Sequence, residues 1–482
     1  MTQREIAEQS VPKSVNWLPY RFERLSSDEV LVSNIAGEWV LLDGQQFDQL
    51  ATLSFADDDL VKLLLANHIL ITEDDRVSGR LLSLKLATRI RQLPELTGLH
   101  IFVVTLRCDH SCEYCQVSRK NSNSTEHDMS WDDAARALDI VFSSPSTNLK
   151  IEFQGGESLL NFELIKRVVV EAKRRNIDGS RNLSFVIASN LVPLNEEILT
   201  FALEHSIYFS TSIDGPEELH NSNRSRPGRN SYQLATDGIA SIRKTLGDDY
   251  VSALMTTTER SLDQPEAIID EYVRLGFNEV FLRFLSPYGH AVKTRAISRY
   301  GNRQWMDFYQ RGLKYIIELN RSGTEVVEVL ASIYLRKLLV NDCGGYVDLT
   351  TPTGAGLGAL VYNYDGDVYA SDEGRMLREM GDDSFKLGSV RTHRYKDLIL
   401  SERFLDVVED SYAPSSPMCS DCALEPFCGS DPVFHHSTQG DVTGFKPLSD
   451  FCERTMTLVP LLLRLYREDR FCRDLFTRWA TR

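Results

Sequence analysis

Three cysteines, Cys108, Cys112 and Cys115, stand in the run CDHSCEYC directly after the apolar segment LHIFVVTLR. That segment reads as a strand, so the three thiols project from one loop at a strand C-terminus. A structural zinc closes its shell with four ligands, whereas an iron-sulfur cube held by three cysteines keeps one iron free to bind a substrate or cofactor. The spacing, three residues and then two with an aromatic before the last cysteine, is much more specific than a bare Cys-x-x-Cys. A second group, Cys419, Cys422, Cys428 and Cys452, supplies four thiols with a knuckle-like start. Taken alone, that set suits zinc. Cys343 and Cys472 stand apart and read as buried free thiols.

Thiols placed this way need a scaffold, and from residue 99 the pattern is strand and helix in alternation, the mark of βα units on a parallel sheet. Six strand-like runs succeed one another: LHIFVVTLR, LKIEFQ from Leu149, LSFVIASN from Leu183, IYFSTSID from Ile207, VSALMTT from Val251 and NEVFLRFL from Asn278. Stretches of helical period such as WDDAARALDIVFSS and NFELIKRVVVEAKRRN separate them. In a barrel or part-barrel of this kind, the loops after the strand C-termini form the active face. Phe153-Gln-Gly-Gly-Glu157 follows the second strand, Ser189 and Asn190 end the third, Ser212-Ile-Asp-Gly-Pro216 ends the fourth and Arg224 lies in the loop beyond. Arg283 sits in the sixth run and is a weaker candidate for the same pocket. Each short motif alone is an ordinary turn or loop start; their order, each behind its own strand and downstream of the cysteine loop, makes them candidates.

Upstream, YRFERL, EVLVSN and GEWVLLD read as three short strands from Tyr20 to Asp43, with Asp43 and Gln46 placed as a capping box for a helix. A second acidic start at Asp57 to Asp59 precedes LVKLLLANHILIT. Strands and two short helices in this order resemble a winged-helix module; the segment holds no nucleophile or ligand cluster, so docking or packing is its plain reading. Residues 303 to 340 look helical, YNYDGDVYAS reads as a hairpin, and 453 to 480 is helical in pattern.

With 482 residues the chain has room for about three folding units. Lys plus Arg number 53 against 69 for Asp plus Glu, and the resulting charge of −16 argues against nucleic acid as a partner. No apolar run is long enough to span a bilayer, and MTQREIAEQS lacks the apolar stretch of a signal peptide, so the expected setting is the cytoplasm, without a membrane partner. Clustered thiols in a reducing compartment suggest metal ligation rather than disulfides.

Over roughly residues 98 to 300, the cysteine loop and the motifs that follow it resemble the radical S-adenosylmethionine (radical SAM) superfamily. The resemblance implies an α/β chain with a partial (β/α)6 barrel, a 4Fe-4S cluster on Cys108, Cys112 and Cys115, and S-adenosylmethionine as cofactor. It further implies that Gly155, Gly156 and Glu157 meet the methionine amino group and that Ser189, Asn190 and Ser212 supply polar contacts. Arg224 would pair with the cofactor carboxylate, and Tyr114 would pack beside adenine. The chemistry implied is one-electron cleavage to methionine and a 5'-deoxyadenosyl radical. Asp109 and His110 lie inside the loop, but neither is needed as a ligand.

The second cysteine group resembles the SPASM extension found behind many radical SAM barrels, which carries auxiliary iron-sulfur clusters; zinc remains the alternative. The match is partial. Cys343 can be the first cysteine of the extension, but Ser371 stands where its hairpin cysteine belongs and Pro432 stands at a later cysteine position. The inner cluster thereby loses ligands, while Cys419, Cys422, Cys428 and Cys452 make a complete set for one auxiliary 4Fe-4S cluster. Asp372, next to Ser371, matches an aspartate proposed to take a substrate proton in sulfatase-maturing enzymes; capping a turn or pairing with Arg375 explains it equally well.

The expected layout is a winged-helix-like module over 1–90, able to bind a leader peptide by β-augmentation, a radical SAM barrel over 98–320, a SPASM-like domain over 340–455 and a C-terminal helix over 456–482. As a whole the chain most resembles the radical SAM maturases of His-Xaa-Ser repeat peptide systems. Such a resemblance implies a precursor peptide, a flavodoxin- or ferredoxin-type electron donor and a second radical SAM maturase as partners. A sulfatase-maturase-like residue oxidase and a non-catalytic iron-sulfur or zinc scaffold are the alternatives.

Overall fold

The structure is a computed structural model that describes residues 14–91, 93–340 and 346–482. Its centre is a sheet in which Val251–Leu254, Ile207–Ser212, Asn182–Ala188, Asn148–Gly155 and Leu99–Thr105 lie side by side in that order, all parallel. Helices Trp131–Val141, Phe162–Arg175, Glu196–His205, Ser231–Leu246 and Pro265–Arg274 follow the strands as the alternation predicts. Leu99–Thr105 is buried on both faces, with Phe102 on one and Val103 on the other, whereas the strands beside it alternate: Ile151, Phe153, Ile187 and Phe209 are buried and Lys150, Tyr208 and Ser252 are exposed.

The sixth parallel strand is not the one expected. Only Glu279–Val280 of NEVFLRFL is strand, and it pairs with Val327–Glu328 outside the central sheet. The N–H groups that a ladder would have used are taken by side chains: Leu282 donates to Glu328 Oε1 at 3.2 Å and Leu285 to the Tyr300 hydroxyl at 3.1 Å. Its apolar residues still bury, so the run has a strand's composition without a strand's pairing. The sixth place falls at the opposite edge, where Ala359–Tyr362 runs parallel to Leu99–Thr105. The expected hairpin then turns at Gly366 (φ 82°) into Asp367–Tyr369, and Lys386–Ser389 closes the sheet antiparallel.

Near the N-terminus, Tyr20–Arg24, Val30–Asn34 and Trp39–Leu42 form the expected antiparallel sheet. Gln46 N donates to Asp43 Oδ1 at 2.8 Å and Asp43 N to Gln46 Oε1 at 3.0 Å, so the capping box forms as read. LVKLLLANHILIT divides: a helix ends at Ala66, and Leu70–Thr72 pairs with Val15–Trp17. Short apolar runs do not reveal such a switch by periodicity. Val30 and Val32 face a small local core with Phe47, Leu50 and Leu64, while Leu31, on the other face of the strand, joins the main core. This sheet lies against the second cysteine segment: Ser33 Oγ donates to the Ala423 carbonyl at 2.7 Å and Arg21 pairs with Glu425 at 2.6 Å.

The C-terminal helical stretch is two helices, Asp450–Glu468 and Arg470–Ala480, because Asp469 leaves helical geometry and caps the second through Phe471 N. Among the described residues no helix is long and apolar enough to cross a membrane. Cys343 lies outside the described residues. Cys472 is a buried free thiol whose Sγ donates to Asp469 at 3.3 Å.

Candidate functional site

At the C-terminal ends of the parallel strands lies a cavity of about 270 Å³. Cys108, Cys112 and Cys115 line it, together with Tyr114, Gly155, Gly156, Ser189, Asn190, Ser212 and Arg224, residues drawn from four successive strand ends. Arg283 and Asp372 also reach it. All three thiols are free and partly exposed. Burial pushes the Cys112 thiol up to about 12; the nearby Arg224 charge opposes that rise and Cys115 adds to it. A thiol raised in this way stays protonated at neutral pH unless a cation compensates its charge, which an iron-sulfur cluster does.

The loop is held at both ends. Ser111 N donates to the Ser225 carbonyl at 2.7 Å, and the Cys115 carbonyl accepts from Ala291 N at 3.1 Å. A buried chain of hydrogen bonds anchors its middle. Asp214 N donates to His220 Nδ1 at 3.3 Å, which leaves the proton of neutral His220 on Nε2, 3.0 Å from Ser231 Oγ. Burial lowers the His220 pKa to about 4, so this neutral form holds at pH 7. The Ser231 hydroxyl is then free to donate to His110 Nε2 at 2.7 Å, and His110 Nδ1 lies 2.9 Å from Asp109 Oδ1. Asp109 and His110, idle as ligands in the sequence reading, therefore have a job in orienting the loop.

Gly155 and Gly156 are required by close packing. A Cβ on Gly155 (φ +151°) would come within 2.0 Å of the Thr105 carbonyl oxygen, and one on Gly156 within 2.3 Å of that of Arg107. Gly156 N and Glu157 N donate to those same two carbonyls at 2.9 and 2.7 Å, so this turn is stitched to the strand that carries the cysteines.

Glu157 departs from expectation. Its carboxylate lies beneath the cavity floor and is fully buried, accepting from Ser189 Oγ at 2.7 Å, Asn190 N at 2.7 Å and Leu159 N at 3.0 Å. Burial raises its pKa to about 7 against the pull of those bonds. With both oxygens committed inward, the side chain positions Ser189 and Asn190 instead of facing a ligand. Tyr114 is on the wall, yet its hydroxyl donates to Asp214 at 2.7 and 2.9 Å, and Arg224 stands over its ring at 5.5 Å while pairing with Asp214 at 3.4 Å. Asp214 was not singled out by sequence; its signal was its place in Ser212-Ile-Asp-Gly-Pro216, behind a strand already marked.

Asp372 opens helix Asp372–Arg378, with the Ser371 hydroxyl as its cap and Arg375 3.2 Å away. Pairing and cavity lining are both true of it. Ser371 and Pro432 have structural work in place of ligation: Ser371 accepts from Gly374 N at 3.1 Å, and Pro432 begins a helix, where a missing N–H costs nothing.

The segment that carries Cys419, Cys422 and Cys428 lies against the N-terminal sheet through Ala423 and Glu425, and Cys452 stands in the first turn of helix Asp450–Glu468. Burial raises Cys422 to about 12 and Cys452 to about 11, and charge on Cys428 and Cys419 adds to both. Lys337, itself buried, donates to the Cys428 carbonyl at 2.6 Å.

Residues 102–271 match the sequence profile described as the Radical SAM superfamily. Those residues are a radical SAM domain. Among solved structures, the fold is similar to anSMEcpe with bound AdoMet, at a TM-score of 0.62 and 16% identity over 80% of this chain and 98% of that one. It is also similar to Streptococcus suis SuiB bound to its precursor peptide SuiA, at 0.54 and 12% over 91% and 100%. A protein of Methanocaldococcus jannaschii is 28% identical over 188 residues, 39% of this chain and 62% of its own length. The cofactors of a radical SAM domain are S-adenosylmethionine and a 4Fe-4S cluster, and this cavity fits both: uncommitted thiols on one loop, a glycine turn that brings backbone close, and a guanidinium on the wall.

Proposed function

We propose that this chain is a peptide maturase that abstracts hydrogen from a ribosomally made precursor, of the His-Xaa-Ser type, leaving a crosslink or an oxidised residue. The observation that carries the reading is the convergence of Cys108, Cys112, Cys115, Gly156, Arg224 and Asp372 on one cavity. In this reading the three cysteines hold the open cluster, and the Gly155-Gly156 backbone with Ser189, Asn190 and Ser212 cradles the methionine end. Arg224 faces the cofactor carboxylate, and Tyr114 closes the wall behind it. Bound there, the cluster and cofactor would supply a 5'-deoxyadenosyl radical. The chain's own work is to present a substrate C–H bond at the cavity and to keep water out. In the same reading Asp372, which lines the cavity, would accept a proton from the substrate. Cys419, Cys422, Cys428 and Cys452 would hold one auxiliary 4Fe-4S cluster that relays an electron.

Support for a peptide substrate comes from the fold shared with SuiB, solved with its precursor, and with anSMEcpe, solved with a Cp18Cys peptide. The N-terminal sheet, packed on the second cysteine segment, is the candidate leader-binding module. The same reading carries a flavodoxin- or ferredoxin-type donor, a partner maturase and a cytoplasmic setting.

Anaerobic incubation with short His-Xaa-Ser peptides, reductant and S-adenosylmethionine tests the substrate: a mass change is expected, and unchanged mass in every peptide despite cofactor cleavage would redirect the reading to another peptide class. Metal analysis tests the clusters. About eight irons per chain are expected, and four irons with one zinc would remove the auxiliary cluster. Replacing Asp372 by Asn keeps a hydrogen-bonding partner for Arg375 and is expected to slow peptide modification by about 10²-fold or more, with cofactor cleavage retained. Equal rates would leave Asp372 as a structural cap.

A further inference from the structure

Beside the cofactor cavity, and sharing Cys112 and Arg119 with it, lies a second cavity of about 380 Å³. Arg119, Lys120 and Lys293 line it with His290 beside them, and Glu379, 3.9 Å from Lys120, is its single lining carboxylate among the described residues. In a chain of net charge −16, three cations against one acid at the mouth of the site is a local reversal of sign. Ser118 also lines it, and its buried hydroxyl has no hydrogen-bond partner among the described residues. Ser118 has φ 60°, a conformation that a residue with a side chain adopts at a cost, and such strain concentrates at binding sites. The wall is not loosely placed: Ala291, in the same short helix as Lys293, donates to the Cys115 carbonyl at 3.1 Å, and Thr294 Oγ1 donates to the Glu113 carbonyl at 2.8 Å.

We propose that this cavity binds a carboxylate of the peptide substrate, an Asp or Glu side chain near the residue presented to the cofactor cavity. The inference rests on the peptide-maturase reading and names the substrate class: an acidic segment flanking the modified position. Arg119, Lys120 and Lys293 supply the charge and Ser118 a hydroxyl donor. The group they hold sits next to the cysteine loop, which fixes the register of the peptide.

Fluorescein-labelled His-Xaa-Ser peptides with amidated C-termini, flanked by two Glu, two Gln or two Lys, test this by anisotropy on the cluster-loaded protein. The Glu peptide is expected to bind at least tenfold more tightly than the Gln peptide, with the difference shrinking as salt rises. The Lys120→Gln/Lys293→Gln double variant should erase that preference while binding S-adenosylmethionine as the unaltered protein does. Ser118→Ala should narrow it several-fold, and with the salt titration it keeps the test valid if the double variant fails to fold. Equal affinity for Glu and Gln peptides, no binding of any peptide, or loss of S-adenosylmethionine binding in the double variant would overturn the proposal. So would a Glu-over-Gln preference that the double variant keeps in full. Mass change is read separately: a Glu preference with no peptide modified counts against the maturase reading and leaves the carboxylate site standing.

Discussion

The triple replacement of Cys108, Cys112 and Cys115 by Ala is expected to abolish reductive cleavage of S-adenosylmethionine to 5'-deoxyadenosine, leaving nothing above the background of reductant alone. The three thiols share one loop and one cavity, and none is spent in a disulfide. At two of them the surroundings do not favour the thiolate: burial pushes Cys112 up to about 12, and Cys108 is raised as well, first by burial and then by Glu157. A ligand set of this kind is completed by the charge of the cluster, so its loss removes the cluster and not merely a contact. Iron content should fall by about four per chain while the second cysteine group keeps its own. The anchors of the loop, Ser111 to Ser225 and Ala291 to Cys115, are backbone bonds that alanine preserves, so the fold should survive. Persistent cleavage with unchanged iron would remove the assignment of these cysteines.

What the sequence disclosed about this site was local. The cysteine spacing, the glycine pair and the Asp43–Gln46 capping box are each written within a few residues, and in each the backbone geometry follows from the residue types. What it concealed depended on distant partners. NEVFLRFL has the composition of a strand, but whether its N–H groups meet a ladder or the side chains of Glu328 and Tyr300 is settled by residues further along the chain. Ala359–Tyr362 becomes the sixth parallel strand by pairing with Leu99–Thr105, some 260 positions back, and no periodicity announces a match at that range. Glu157 was marked by its neighbours as a cofactor contact, yet its depth below the floor is a property of the packed sheet. Net charge hid the opposite feature, because a sum of −16 says nothing about three cations meeting beside one cavity.

Asp214→Ala is expected to destabilise the protein by about 3–5 kcal/mol, the cost of leaving a buried charge without its partner. Asp214 is fully buried and accepts both bonds from the Tyr114 hydroxyl, while Arg224, whose side chain is 15% exposed, lies 3.4 Å from it. Removing the carboxylate therefore strands a guanidinium and a phenol at once. Its own backbone N–H still meets His220, so the hydrogen-bonded chain to Ser231 and His110 should persist. Asp214→Asn keeps a partner for Tyr114 but loses the charge, and should fall between the two. The decisive comparison is the double variant Asp214→Ala/Arg224→Met: with the stranded charge gone, chemical denaturation should recover part of the loss, a coupling of at least about 1 kcal/mol. Purely additive losses would mean that Arg224 does not depend on Asp214 for its place. In that case the wall beside the cysteine loop is held by packing, and the guanidinium is free to swing toward a carboxylate in the cavity rather than waiting for it in a fixed position.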